Sequence, residues 1–245
     1  MAAGLTACGG QTAPQTTAAS EGTKQAEAAA PAESQEKEEA PAGKAEVTLS
    51  LNHVGATTHP YQYGSERFAE LVSEKTGGRI AVEVYPASQI ASGAKAIEFV
   101  QMGTLDIFRG NASSLSNYGA DKISLSGLPF LFKDMDQFQE MAVSSLGQEL
   151  LASVDEADCG YVALGWLTEG PRHMFITENT YKKLGNPSEF SLDMMNGLKM
   201  RVPETDLMVN TMTALKASAT PIAYSELYTS LQSGVVDGAE NDVIN

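Results

Sequence analysis

The stretch Thr76-Gly77-Gly78-Arg79-Ile80-Ala81-Val82-Glu83-Val84-Tyr85-Pro86 decides the class of fold. Its glycines end a helix, because glycine readily takes the left-handed conformation that caps a helix C-terminus. The β-branched-rich run Ile80 to Tyr85 then reads as a strand, which Pro86 stops. Upstream, Phe68, Leu71, Val72 and Lys75 are spaced as one helical face following His59-Pro60. Before that helix, Val47-Thr48-Leu49-Ser50-Leu51 alternates apolar and polar residues as a strand does. Downstream, Ala94 to Met102 reads as a short helix with Ile97 and Val100 inward and Gly103 as its cap. Leu105 to Phe108 reads as a third strand. This β-α-β-α-β rhythm predicts an α/β fold: a parallel sheet with covering helices.

The remainder continues the alternation. Leu128-Pro129-Phe130-Leu131-Phe132 is expected as a compact apolar turn, and Asp134 as the cap of a helix from Met135 to about Val154. Tyr161 to Trp166 and Met174 to Ile176 read as two more strands, crossing between lobes. A strand at Leu198 to Val202, a helix at Asp206 to Leu215, a strand at Ala217 to Ile222 and a helix at Ser225 to Ser233 follow, with a last strand near Val235. Open α/β sheets hold ligands at the carboxyl ends of their strands and at lobe interfaces. Two such lobes joined by crossing strands make a cleft able to close on a small molecule.

Charge and composition narrow the partners. With 16 Lys+Arg against 31 Asp+Glu and a formal net charge of −15, the chain lacks the basic face of a nucleic-acid binder. No run approaches the roughly 18 apolar residues of a membrane span. Gly9 to Glu46 contains no Val, Ile, Leu, Met, Phe, Tyr or Trp. Such a segment buries too little apolar area to offset the entropy of ordering, so residues 9–46 are expected to form a disordered tether, reaching roughly 35 Å by random-coil scaling. Ahead of it, Leu5-Thr6-Ala7-Cys8 with Gly9-Gly10 resembles the lipobox of bacterial lipoproteins. That resemblance implies residues 1–8 as the remnant of a signal peptide, lipidation at Cys8, and an extracytoplasmic body attached to the membrane by a lipid anchor only.

The body, residues 47–245, offers little that an enzyme uses. His53, His59 and His173 do not stand at a recognised metal spacing, and the expected roles of His53 and His59 are those of a strand-end and a helix-start residue. There is no G-x-S-x-G elbow, Walker A or G-x-G-x-x-G, so neither a hydrolase of that type nor a phosphate-cradled cofactor is indicated. Cys159, between Asp158 and Gly160, has nothing in sequence to lower its thiol pKa. The scarce cations say more. Arg201 closes the strand Gly197-Leu198-Lys199-Met200-Arg201-Val202, and Arg172 stands at another strand boundary. Arginine suits a carboxylate through two parallel charge-assisted hydrogen bonds. A salt bridge to one of the acids remains the alternative for each.

Longer matches then accumulate. Lys199-Met200-Arg201-Val202-Pro203 and the run Thr220-Pro221-Ile222-Ala223-Tyr224-Ser225-Glu226-Leu227-Tyr228 to Val235-Val236-Asp237-Gly238-Ala239-Glu240-Asn241 resemble the solute receptors of tripartite ATP-independent periplasmic (TRAP) transporters, the DctP-like family. His59-Pro60-Tyr61, Thr76 to Ile80, Met102 to Ile107 and Leu128 to Phe132 agree with it. The resemblance implies a two-lobe, periplasmic-binding-protein-like fold with a hinge and a ligand cleft, lobe I over about 47–165 and lobe II from about 166. It implies a small organic acid as ligand, a dicarboxylate or sugar acid, delivered to a membrane permease driven by an ion gradient. Arg201 falls on the family's carboxylate clamp, Arg172 on its second cation, Tyr224 on the aromatic that packs over the ligand, and Asn241 and Asn111 on polar ligand-facing positions. Family members continue past Glu240-Asn241, so the chain is expected to be C-terminally truncated, stopping inside lobe II. A lipid-anchored ABC-type binding protein, a secreted enzyme on a two-lobe scaffold and a surface adhesin are the alternatives.

Overall fold

The chain's structure, a computed structural model, describes residues 45–168 and 170–242; Cys8, the residues before it and the tether up to Lys44 lie outside the described residues. Three alternating segments form the first sheet: β1 (Val47–His53), β2 (Ile80–Tyr85) and β3 (Ile107–Arg109), in the order β2-β1-β3 and all parallel. Helix α1 (Pro60–Thr76) makes the first crossover. It starts at His59, whose Nδ1 accepts the Tyr61 N–H at 3.2 Å, with Pro60 in the first turn where no donor is needed. It ends at Gly77, which has φ 61° as the double glycine predicts. Helix α2 (Gly93–Gln101) makes the second crossover.

The third strand begins later than expected, and the reason is in its first two residues. Leu105 is fully buried against Ala91 and Ala96, in a core that Phe99, Val100 and Phe108 extend. Asp106 turns to β1: its Oδ2 accepts from both the backbone N–H and the hydroxyl of Ser50 at 2.7 Å, and Ser50 Oγ accepts from the Asp106 N–H at 3.1 Å. These bonds favour the charged carboxylate and hold its pKa below the usual range. The Leu-Asp pair thus fastens β3 to β1 before the ladder starts.

Two further expectations shift in this lobe. The single helix from Met135 to Val154 is two, α3 (Met135–Val143) and α4 (Ser145–Glu156), capped by Asp134 and Ser144 through bonds to the Gln137 and Gly147 N–H groups. A serine hydroxyl that bonds nearby backbone competes with a continuous helix, and here it restarts one. Tyr161 to Trp166 keeps strand-like alternation, with Tyr161 and Ala163 half-buried and Val162 and Leu164 exposed, yet it joins no ladder among the described residues. Side-chain bonds hold it instead, from Tyr161 Oη to the Leu115 carbonyl and from Trp166 Nε1 to the Gly147 carbonyl. Leu128 to Phe132 turns with Phe130 at φ 61° and fully exposed, so the turn is not the compact apolar one expected.

The second sheet contains β4 (Arg172–Ile176), β5 (Lys199–Val202), β6 (Ser218–Pro221) and β7 (Gly238–Asp242), in the order β4-β7-β5-β6. β4 runs antiparallel to β7 and the other pairs are parallel. Helices α5 (Glu178–Lys183), α6 (Asp206–Ala214) and α7 (Leu227–Gln232) accompany it. Met195, Met200, Val202, Met208, Met212 and Ala217 form its core. Among the described residues no helix is long and apolar enough to cross a membrane.

β7 starts three residues after Val235 because Asp237 is used as a fastener. Its Oδ2 accepts the Lys199 N–H at 2.9 Å, its Oδ1 accepts from Thr180 Oγ1 at 3.3 Å, and its backbone bonds Lys199 and Thr177. Gly238 then passes so close to β4 that an added Cβ would lie 2.2 Å from the Phe175 carbonyl oxygen. Replacing Gly238 by Ala should therefore push β4 and β7 apart and destabilise the fold by roughly 1–3 kcal/mol, the range for overpacking. A urea midpoint lowered at unchanged slope is the expected reading; an unaltered midpoint would mean that the strands separate freely.

Candidate functional site

Parallel strands bring their carboxyl ends together, and the antiparallel β4 adds its first residue to that same end. Register pairs Arg172, at the start of β4, with Asp242, at the end of β7, while Arg201 of β5 lies beside Ala239 of β7. The topology therefore gathers Arg172, Arg201, Glu240 and Asn241, which are far apart in sequence, on one edge of the second sheet.

Their bonding is asymmetric. Arg172 grips Glu240 with both arms of its fork, Nε to Oε1 and Nη2 to Oε2, the latter at 3.1 Å, and Nη2 also reaches Asn241 Oδ1 at 3.4 Å. Glu240 is buried and Arg172 is 24% exposed at its side chain. Arg201 is only 2% exposed, and the one hydrogen bond of its guanidinium among the described residues runs from Nε to the Ile222 carbonyl at 2.8 Å. Burial pulls its pKa down to about 10, opposed by Glu240 and reinforced by Arg172, and that value keeps it cationic at neutral pH. Tyr224, two residues beyond Ile222, and the exposed Glu204 also lie within its electrostatic reach. The paired carboxylate is thus committed to Arg172, while the Nη groups of Arg201 make no hydrogen bond among the described residues.

Arg172, Glu240 and Asn111 line a cavity of about 1480 Å³ that draws residues from both sheets. Arg201, Tyr224 and Asn241 do not line it. Most of its lining is apolar, including Leu105, Ile123 and Phe138, with Arg109, Arg172 and Glu240 among its charged residues. Asn111, in the first lobe, caps the 3-10 helix Ala112–Tyr118 by accepting from the Ser113 N–H and hydroxyl at 2.9 and 2.7 Å. Its Nδ2 makes no hydrogen bond among the described residues. The two lobes touch where Asn117 Nδ2 donates to the Glu204 carbonyl at 3.2 Å.

Sequence reading missed two participants. Glu240 served there as a motif landmark, not as the partner of Arg172. Arg109 ends β3 opposite His53 of β1, with its guanidinium 3.1 Å from the centroid of the Tyr61 ring. Scarcity of cations, the argument that selected Arg201, would also have selected Arg109. His59 is the helix-start residue that was expected, and His53 closes β1. Among the described residues no group of His, Cys, Asp and Glu is placed to hold a metal.

Two measurements check this electrostatic picture. Glu240→Gln removes the partner of a mostly buried guanidinium and should cost about 2–3 kcal/mol, towards the low end for a broken buried pair because Arg172 keeps some contact with water. A change under about 0.5 kcal/mol in urea unfolding would assign the fork no structural weight. His53 has its pKa lowered from 6.5, chiefly by burial, with Arg109 and His59 adding to the effect and Gln62 opposing it. The unfolded chain takes up that proton first as pH falls through 6.5, so stability is lost between there and the lower folded value. Urea midpoints at mildly acidic pH should be below those at neutral pH, and His53→Gln should flatten the difference.

Residues 51–245 match the DctP family, bacterial extracellular solute-binding protein, family 7. The C4-dicarboxylate-binding periplasmic protein DctP of Rhodobacter capsulatus is 31% identical over 199 residues, 81% of this chain and 56% of its own. The crystal structure of a TRAP periplasmic solute-binding protein from Roseobacter denitrificans with bound L-galactonate is 32% identical, with TM-score 0.70 over 82% of this chain and 63% of that one. A second, from Xanthobacter autotrophicus Py2 with bound β-D-galacturonate, is 30% identical, with TM-score 0.71 over 79% of this chain and 61% of that one. The chain spans about half the length of the curated relatives it matches. With its match running from β1 to Asn245, the chain belongs to the DctP family of bacterial extracellular solute-binding proteins.

Proposed function

We propose that the chain is the solute-receiving part of an extracytoplasmic receptor of a TRAP transporter. It binds a small carboxylate-bearing solute, a dicarboxylate or sugar acid, between its lobes and presents it to the membrane permease subunits. The observation that carries this reading is the pair of cations at the carboxyl edge of the second sheet, of which Arg172 is hydrogen-bonded to a carboxylate, Glu240, and Arg201 to none among the described residues. Arg201 clamps the carboxylate through its Nη edge. Arg172 adds a second positive charge and keeps the Glu240 carboxylate from collapsing onto the clamp. Tyr224 packs over the ligand, and Asn241 and, from the first lobe, Asn111 supply hydrogen bonds. The acids bound by the Roseobacter and Xanthobacter proteins support the choice of ligand class. In this reading residues 1–8 are the remnant of a signal peptide, Cys8 carries the lipid, residues 9–46 are the tether, and residues 47–245 are the binding body, with lobe I over about 47–165 and lobe II from about 166. Binding, with no chemical step, is the activity.

A net charge of −15 does not oppose an anionic ligand, because exposed charges are screened within about 8 Å at physiological salt and the local pair of arginines dominates. The test is calorimetric titration of the chain with L-galactonate and with succinate, before and after Arg201→Lys. Lysine keeps the charge and loses the fork, so affinity should fall roughly 10- to 100-fold, the worth of one or two charge-assisted hydrogen bonds. Undiminished affinity in the variant would remove the clamp, and the bound acid recovered chemically changed would make the protein an enzyme.

A further inference from the structure

The turn that follows Arg201 faces both lobes. Glu204, between β5 and α6, reaches the first lobe at Gly93, the first residue of α2. An added Cβ on Gly93 would lie 2.7 Å from Glu204 Oε2, so the carboxylate takes the space a side chain would fill. Gly93 also has φ 49°, a conformation that glycine adopts without strain. Helix α2 has no anion of its own there. Ser92 stands at its N-cap without a side-chain bond, and its first turn holds no acidic residue. The start of a helix carries unpaired N–H groups and a partial positive charge, which a nearby carboxylate stabilises.

A second contact holds the same turn. Asn117 of the first lobe donates from Nδ2 to the Glu204 carbonyl at 3.2 Å and accepts the Asp206 N–H on Oδ1 at 3.5 Å, so one side-chain amide spans the turn. Its neighbour Tyr118 donates to the Ala94 carbonyl at 3.1 Å, which ties Asn117 to the first turn of α2. Burial raises the Tyr118 pKa, and the charges of Glu98 and Glu204 add to that, as expected of a phenol near this carboxylate. Leu207 of α6 also packs on the first lobe, where an added Cβ on Gly127 would lie 3.2 Å from its Cδ2. Glu204 acts on Arg201 as well, as a negative charge. A negative charge near the clamp repels an incoming carboxylate. Its position is therefore unfavourable for the clamp alone and favourable for the contact between lobes.

Resting on the reading of the chain as a two-lobed receptor for acids, we propose that Glu204 is a positioning residue for solute binding. With Asn117 it clasps the turn after Arg201 to the start of α2, and so holds the lobes in the arrangement that binds the acid. Glu204 acts through the lobe contact, not by touching the solute. A receptor that binds only with its lobes together has an affinity proportional to the fraction so arranged, and the clasp raises that fraction.

The sign of one substitution separates the clasp from simple electrostatics. Glu204→Gln removes a charge of the solute's own sign near Arg201, so electrostatics alone predicts tighter binding. The clasp predicts the reverse. Succinate and L-galactonate are titrated by calorimetry into the chain, into Glu204→Gln, into Ser92→Asp and into the double variant, with thermal melting alongside. Glu204→Gln should weaken binding of the acid roughly two- to fivefold, the effect of one carboxylate at a helix start, with melting little changed. That loss should shrink at high salt, because Glu204 is exposed. Ser92→Asp gives α2 its own cap and repels Glu204. It should melt higher and bind more weakly, and it should leave affinity unaltered once Glu204 is replaced. An affinity unchanged or raised in Glu204→Gln, or an effect of Ser92→Asp that is the same with and without Glu204, overturns the clasp and leaves the receptor reading standing. A native chain that binds neither acid overturns the receptor reading, and the role of the clasp with it.

Discussion

The bidentate contact between Arg172 and Glu240 is the constraint on which the rest of the candidate site depends. It closes the only antiparallel pairing among the described strands, β4 with β7, at the end where the parallel strands leave their carboxyl termini. It also settles the charge balance there. Two guanidinium groups that share a mostly buried edge repel each other, and Glu240 relieves that repulsion by engaging one of them completely. An arginine fork matches a carboxylate in both geometry and charge, so the hydrogen bonds of Glu240 go to Arg172 while its charge still acts on Arg201. What is left is a buried cation whose Nη groups make no hydrogen bond among the described residues.

The fold serves this arrangement through fasteners placed just ahead of strands. Asp106 bonds Ser50 before β3 begins, and Asp237 bonds Lys199 and Thr180 before β7 begins. Each aspartate locks its strand's register, and register is what places Arg109 opposite His53 in one sheet and Arg201 beside Ala239 in the other. A one-residue slip in either sheet would turn those side chains to the other face. The Leu-Asp and Asp-Gly pairs in these motifs therefore have a structural reason independent of any ligand.

Much of this was legible in the sequence where local chemistry decides. The double glycine after Thr76, the Asp134 cap and the alternating runs of β1 and β2 predict their elements directly, because capping and period-two burial are properties of neighbouring residues. The helix break at Ser144 was hidden, since serine competes with a helix only when its hydroxyl finds a backbone partner. Tyr161 to Trp166 shows the opposite failure: its alternation is real, but a strand also requires a neighbour, which no pattern within the segment can supply. At the candidate site, arginine scarcity pointed to Arg201 and Arg172. The pairing of Arg172 with Glu240 depends on an antiparallel register that sequence does not encode locally.

The account's central claim is that Arg201 presents an unoccupied guanidinium edge while Arg172 is already engaged. Isotope-edited NMR of the arginine side chains addresses it most directly, by following the Nη groups of both residues as succinate or L-galactonate is added. The account predicts that the Arg201 Nη signals shift and that rotation of its guanidinium slows on addition of the acid, with Arg172 little changed in its contact with Glu240. Arg172 responding while Arg201 stays unaltered, or neither responding at saturating acid, would contradict it.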